Sequence, residues 1–429
     1  MVGPAERSSR LTRALKRPSH LPPFITLRLD DPTNRLLGSV IAAGLLGGVI
    51  GAAYIGLLHL FQHALWPTHW GLLPHAAILL AVGLVVAVLT RLLGHPGDVE
   101  LLVDNIHVLG GNENRRALRS LIPVSLLCVG VGGGLGPEAP LVQTTGTLGT
   151  YVAQRFQLDR DEVRTLTITG MAAGFTVLFG APLGAALFAL EILHRRGLEY
   201  YEALLPAAVG SLCGYAIYVT LTGVGLEPVW TLPASPPLRA VDLAWALGCG
   251  VAGAAIAISF SFVAATLRRG LVRMPSWLRP AVGGFGLALL AWLSPYALTF
   301  GEAQLGHVTT AEIATRTLLL AVVAKLLAST LTVAAGWRGG FIIPLFFMGA
   351  ALGAAVHNLA PSSNAVVVIT ALMVAANVGV TKTPIGSVLV VTEMAGTTLL
   401  PTTLLASLVA LALTANVGMI HTQRTRGGT

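Results

Sequence analysis

Glycine and proline interrupt the apolar segments of this chain, and at one interruption stands an acid. The run Gly132-Gly133-Gly134-Leu135-Gly136-Pro137-Glu138-Ala139-Pro140 follows a largely apolar stretch and leads into a mixed polar and apolar one. A carboxylate in a membrane segment costs roughly 2.5–3.5 kcal/mol on insertion scales, and one that is retained there marks a functional site by default. Broken backbone at membrane depth is tolerated only where protein or a water-filled cavity surrounds it. An acid placed at a helix break therefore points to a transport site buried inside a helical bundle.

The membrane setting follows from composition. Of 429 residues, 54% are hydrophobic and 11% charged, against about 25% charged in a soluble domain. With a mean hydropathy of +0.76, the chain reads as an all-α polytopic membrane protein in the cell membrane. Residues 1–35 carry seven basic side chains from Arg7 to Arg35 but no apolar core followed by a cleavage site, and read as a retained cytoplasmic segment. Residues 36–423 form one membrane domain, and 424–429 a short cytoplasmic tail, so both termini are expected in the cytoplasm. The net charge of +8 is that of Lys/Arg-rich cytoplasmic loops and does not imply nucleic acid as a partner. Cys128, Cys213 and Cys249 lie in apolar sequence without a CxxC or Cys/His cluster, which argues against a metal, a disulfide framework or a cofactor.

Leu36–Leu60, His75–Leu93, Tyr200–Leu221, Val241–Leu267 and Pro280–Leu298 are long enough to span, at about 20 residues per crossing. Ser120–Val131, Thr165–Phe179, Pro182–His194, Phe341–Leu359, Ala365–Val380, Pro384–Ala395 and Thr402–Asn416 are shorter and predict tilted, partly spanning helices. The chain also repeats itself. Gly180-Ala181-Pro182-Leu183-Gly184 leads to Glu191, and Lys382-Thr383-Pro384-Ile385-Gly386 leads to Glu393, each acid nine residues after its proline. Pro140 precedes Gly149, and Pro344 precedes Gly353, by the same nine. The halves run over about 75–222 and 280–418. Paired interrupted helices in a repeat point to a binding site at the repeat interface.

An anion entering the membrane loses water, and helix N-termini compensate with free N–H groups and a positive dipole end. Pro137 and Pro140 suit the first turn of a helix starting near Glu138, and Pro344 suits one opening near Phe341. Gly339 and Gly340 allow close approach, so the Phe341 and Ile342 amides are candidates for anion contact, with a tight packing turn as the alternative. At Glu138 burial favours the neutral form and a helix N-terminus the charged form, a balance that a proton-linked gate requires. A plain capping carboxylate is the other reading. Glu191 and Glu393 end apolar runs and read as structural groups, through hydrogen bonding or helix-end solvation. Lys325 reads as a structurally paired buried cation or as a source of positive potential for the anion. His75, His194, His307 and His357 lie near segment ends, where solvated or interfacial histidines are ordinary, and the tryptophans Trp66, Trp70, Trp230, Trp277 and Trp292 include candidate interface anchors. Asp98, Glu100 and His107 raise an intramembrane enzyme as a rival, but no H-E-x-x-H or paired-Asp motif accompanies them. A cation transporter would want several acids facing one cavity, and only Glu138 is clearly placed for that.

Taken in order, these motifs resemble those of the CLC family of chloride channels and transporters. Gly136-Pro137-Glu138-Ala139-Pro140 is similar to its Gly-Arg/Lys-Glu-Gly-Pro motif, and Gly340-Phe341-Ile342-Ile343-Pro344 to its Gly-x-Phe-x-Pro motif. Gly170-Met171-Ala172-Ala173-Gly174 through Glu191, and Thr383-Pro384-Ile385-Gly386 through Glu393-Met394, are similar to two further runs of that family. The resemblance covers roughly 36–423. It implies inverted repeats and a homodimer with one anion pore per subunit. It implies that Glu138 gates the pore, blocking it when ionised and clearing it when protonated or swung away. The anion-binding set it implies is Gly340, Phe341, Ile342, Pro137 and Ala139, framed by Gly136, Pro140 and Pro344 at the helix termini. The cargo is chloride by default, with fluoride or another small anion, and proton coupling, as alternatives.

The chain departs from the family pattern at several positions. Asp98 falls where the family places an anion-binding serine, and serves there as an anion neighbour or as a helix cap. His421 falls at the position of an aromatic ligand, and an imidazole N–H can donate to an anion. Ile192 replaces the inward-facing proton-transfer glutamate of the antiporters and cannot carry a proton. That substitution tips the expectation toward uncoupled conduction.

Overall fold

Proline and glycine decide where many of the helices stop. In the computed structural model the described residues are 32–65, 71–94, 99–111, 115–196, 198–226, 229–230, 232–233, 237–310, 312–420 and 422–425. Among them the first half of the chain forms α1 (Pro32–Leu65), α2 (Leu72–Leu93), α3 (Val99–Leu109), α4 (Arg115–Gly130), α5 (Glu138–Arg155), α6 (Arg160–Phe179), α7 (Pro182–Glu191) and α8 (Leu204–Thr222). The second half forms α9 (Ala240–Val272), α10 (Arg279–Leu293), α11 (Glu302–Thr310), α12 (Thr315–Ala334), α13 (Ile342–Leu359), α14 (Ala365–Thr381), α15 (Pro384–Ala395) and α16 (Leu400–Leu413). Strand β1 (His194–Arg196) pairs in parallel with β2 (Arg424–Thr425).

Among the described residues six helices, α1, α2, α8, α9, α12 and α13, are long and apolar enough to cross a membrane. The 34 residues of α1 extend about 50 Å at ~1.5 Å per residue, which exceeds a hydrocarbon core of about 30 Å and requires tilt. Two expectations shift. Pro280–Leu298 is not one span, because α10 stops at Ser294, which is extended (φ −158°, ψ 130°); Pro295 disfavours the helical region for the residue before it. Phe341–Leu359, expected to be short, yields an 18-residue helix, and α12 adds a span around Lys325.

The centre of the molecule is formed by α6 and α14. Every residue of α6 from Thr165 onward and of α14 from Val366 onward is buried. A helix that is apolar or small on all sides belongs in a core, and the buried threonines return their hydroxyls to carbonyls one turn back, as Thr169 does to Thr165 and Thr370 to Val366. Trp230 is also buried, packed on Phe179 and Phe346 with ring centroids 6.4 and 5.4 Å away, while Trp277 and Trp292 are exposed and Trp66 and Trp70 lie outside the described residues.

The two halves meet through reciprocal contacts. Gly136 N–H donates to the Gly340 carbonyl at 2.7 Å, and Gly340 N–H to the Gly136 carbonyl at 2.6 Å. Glu191, ending α7, accepts from the Ile385 and Gly386 amides that open α15, at 3.0 and 2.7 Å. Glu393, near the end of α15, accepts from the Leu183 and Gly184 amides that open α7, at 3.3 and 2.5 Å. Each acid thus caps the other helix, which bears out the structural reading of both. Contacts in which i meets j while j meets i are the signature of a two-fold axis. Here that axis reverses helix direction, so it lies perpendicular to α7 and α15, and the repeat is inverted across the membrane.

Candidate functional site

Glu138 is the first residue of α5, directly after Pro137 (φ −78°, ψ −2°). Its side chain is fully buried, at 0% exposure. Oε1 accepts the Ile343 backbone N–H at 2.5 Å, and Oε2 has no hydrogen-bond partner. Ile343 lies in the first turn of α13, where N–H groups lack intrahelical partners and the dipole favours negative charge. The acid of one half therefore occupies the anion-attracting end of a helix from the other half. Ile343 is not among the residues singled out from sequence. The signal available for it is Pro344, which makes Ile343 the last residue of the motif with an amide to give.

Glycine is required beside this carboxylate. A Cβ on Gly340 would lie 2.5 Å from Glu138 Oε2 and 2.9 Å from its Cβ, and one on Gly136 would overlap the same carboxylate. Because Gly340 N–H is bonded to the Gly136 carbonyl, glycine contributes closeness of approach here, and the free amides begin after it. Pro140 and Pro344 are each the third residue of their helix, where a missing N–H leaves no intrahelical bond unmade.

A cavity of about 20 Å³ lies beside the Glu138 loop, lined by Ala139, Gly340, Phe341, Ile342, Ile192 and Ile420 among others. One water needs at least roughly 10–15 Å³ on this measure. Five residues singled out from sequence, Ala139, Gly340, Phe341, Ile342 and Ile192, thus share one nearly apolar space of about the size of a water molecule. Ile192 is 4% exposed, and its carbonyl accepts from Gln423 Nε2 at 2.9 Å. Asp98 and His421 lie outside the described residues.

Lys325 is fully buried on α12 and donates to the carbonyls of Leu298 and Thr299, at 2.9 and 2.8 Å, and to Gln304 Oε1 at 3.3 Å. Thr299 N–H in turn donates to the Gly132 carbonyl at 2.8 Å, and Ser329 Oγ to the Gly134 carbonyl at 2.6 Å. These three contacts fix the turn that backs the glycine loop before Glu138. His194, at a segment end where a solvated or interfacial ring is expected, is buried at 1% exposure. Among the described residues, no group of three His, Cys, Asp or Glu side chains is placed to hold a metal ion.

The sequence profile described as voltage gated chloride channel matches residues 104–415. A chloride/fluoride channel protein of Pseudomonas syringae pv. tomato is 28% identical over 399 residues, covering 89% of this chain and 85% of that protein. A solved structure described as a CLC-type fluoride/proton antiporter matches with a TM-score of 0.80 at 25% identity, over 92% of this chain and 98% of that one. A slow cyanobacterial Cl⁻/H⁺ antiporter matches with a TM-score of 0.77 at 20% identity, over 89% of this chain and 94% of that one, which is a likeness of fold. The profile spans well over half of the residues, and the fold carries the reciprocal repeat, so the chain belongs to the voltage-gated chloride channel (CLC) family of anion channels and antiporters.

Proposed function

We propose that this protein carries a small anion across the cell membrane along a path that Glu138 opens and closes. The observation that carries the reading is the buried Glu138 carboxylate seated on the Ile343 amide at 2.5 Å. An anion arriving at the α13 N-terminus needs the N–H groups that this carboxylate already occupies, so the two compete for one place. Protonation at the unpartnered Oε2, or rotation of the side chain, would yield the place to the anion. The Phe341 and Ile342 amides would join in holding it, with Ala139, Pro137 and Gly340 forming the walls.

Chloride is the default cargo. Fluoride is the second reading, favoured by the water-sized cavity beside Glu138 and by relatives described by fluoride transport. Both termini are assigned to the cytoplasm on the rule that basic segments stay inside, and two copies are expected to form a homodimer.

Reconstitution into liposomes tests the assignment. An anion-selective electrode should record dissipation of a chloride or fluoride gradient by the wild-type protein. Glu138→Gln, a permanently neutral gate, should change that flux and remove its dependence on pH. A Glu138→Gln protein with wild-type flux and wild-type pH dependence would sink the gating role.

A further inference from the structure

A buried cluster of titratable rings follows Ile192. His107 of α3 sits between two partners, with Nε2 2.8 Å from the Leu193 carbonyl and Nδ1 2.7 Å from the Tyr200 hydroxyl. A carbonyl only accepts, so Nε2 of His107 carries the proton and Nδ1 accepts from Tyr200. His194 Nδ1 lies 3.0 Å from the Leu190 carbonyl and by the same logic is the protonated nitrogen. His194 Nε2 is then a bare lone pair. It is buried and has no hydrogen-bond partner, with Glu199 Oε2 3.8 Å away. The rings of His194, His107 and Tyr200 form a triangle with centroid separations of 5.3–5.6 Å.

Two cavities flank this stretch of chain. His194 lines a cavity of about 500 Å³ together with Glu191, Arg195 and Lys382. Two residues before it, Ile192 lines the small cavity next to Glu138. Of the charged groups around His194, Glu191 is held by the α15 amides and Lys382 Nζ by the Gly379 and Thr414 carbonyls and Thr414 Oγ1. Arg164 stacks on Tyr200 at 4.4 Å, Arg195 Nη2 reaches the Ala415 carbonyl at 3.4 Å, and Arg424 pairs across the strands by its backbone. Glu199, with a side chain one-third exposed, is the acid closest to the bare nitrogen and the one open to water. Burial acts to keep the His194 imidazole below its ordinary pKa, with the Leu190 carbonyl and Glu199 opposing, so the resting ring is neutral.

We propose that His194 is the residue that exchanges protons between the cytoplasm and the transport path, in place of the carboxylate that Ile192 lacks. A proton from cytoplasmic water adds to the Nε2 lone pair, and the imidazolium so formed is balanced by the Glu199 carboxylate. The proton then leaves Nε2 through transient water across the apolar space between Ile192 and Ala139 and ends on Oε2 of Glu138, returning His194 to its neutral form. His107 and Tyr200 are positioning residues that hold the site rigid. The inference rests on Glu138 being the gate, and it makes the protein a proton-coupled transporter.

The test records anion efflux and proton movement together from liposomes loaded with a chloride or fluoride gradient. The wild-type protein should move protons against their gradient. His194→Asn, which keeps a donor for the Leu190 carbonyl, should lower the ratio of protons to anions moved by at least roughly tenfold, the lower range for loss of a positioned acid–base group. Ile192→Glu added to His194→Asn should restore that ratio. Glu199→Gln removes the charge that favours the imidazolium, so the pH midpoint of proton movement should fall. An unchanged ratio in His194→Asn, an unmoved midpoint in Glu199→Gln, or wild-type anion flux without protons would overturn the relay and leave the anion pathway standing. Should His194→Asn not fold, the Glu199→Gln midpoint decides. A wild-type protein that moves no anion would overturn both readings.

Discussion

At the scale of single residues, the site depends on how close two peptide loops come to one carboxylate. Gly340 has no room for a methyl group while Glu138 holds its place, and nothing else in the motif can give, because Gly340 and Gly136 are bonded to each other. Gly340→Ala should therefore expel the Glu138 side chain and reproduce the flux and pH behaviour of Glu138→Gln, measured in the same liposomes. A Gly340→Ala protein that is folded and still gated by pH would show that the carboxylate can rest elsewhere. Glu138 is legible from sequence because an acid among membrane glycines and prolines has few structural excuses. The choice of Ile343 over Ile342 as its partner is not legible, since it depends on how far a side chain 205 residues away can reach. His194 is misleading for a related reason. Its local sequence is that of a solvated or interfacial segment end, and its burial comes from α3 and from strand β2, neither of which leaves a local trace.

At the scale of elements, α7 and α15 form a crossed pair in which each helix closes the other's open end. Their axes can approach because glycines stand at the crossing: a Cβ on Gly386 would lie 2.6 Å from the backbone of Phe188, and one on Gly184 would lie 2.5 Å from the Val390 nitrogen. Both obstacles are backbone, which cannot rotate away. Gly386→Ala is expected to destabilise the protein by roughly 1–3 kcal/mol through overpacking, seen as a lower melting midpoint in detergent, with the proton-to-anion ratio of the surviving folded fraction unaltered. The repeat that produces this crossing is readable from the nine-residue spacings. Its inversion is not, because residue identity is blind to the direction in which a helix crosses the bilayer. The break of Pro280–Leu298 at Ser294 is readable in principle from Pro295, yet the apolar run on both sides hides it.

At the scale of the whole molecule, the two halves contribute unlike groups to equivalent positions of the seam they share. Glu138 and Ile342 occupy matching places in the two motifs, an acid in one and an amide-bearing aliphatic in the other. The two-fold is thus broken at Glu138 and kept where α7 and α15 pack. Leu183, Ile385 and Leu408 stand exposed on α7, α15 and α16. We expect this face to meet its copy in a homodimer. A cysteine at Leu408 should cross-link between subunits in liposomes, and a cysteine at Trp292, exposed on α10, should not. Cross-linking at both or at neither would point to another face.

The seam between Gly136 and Gly340 also has a consequence for biosynthesis. Ile343 follows Glu138 by 205 residues, so at ~5–20 residues per second the ribosome leaves the acid without its amide for roughly 10–40 s. During that interval a carboxylate must wait in or beside the bilayer next to a helix that has not yet been made. The order in which the segments settle is then constrained by charge as well as by hydropathy, and a newly made first half has reason to hold Glu138 near water until its counterpart arrives.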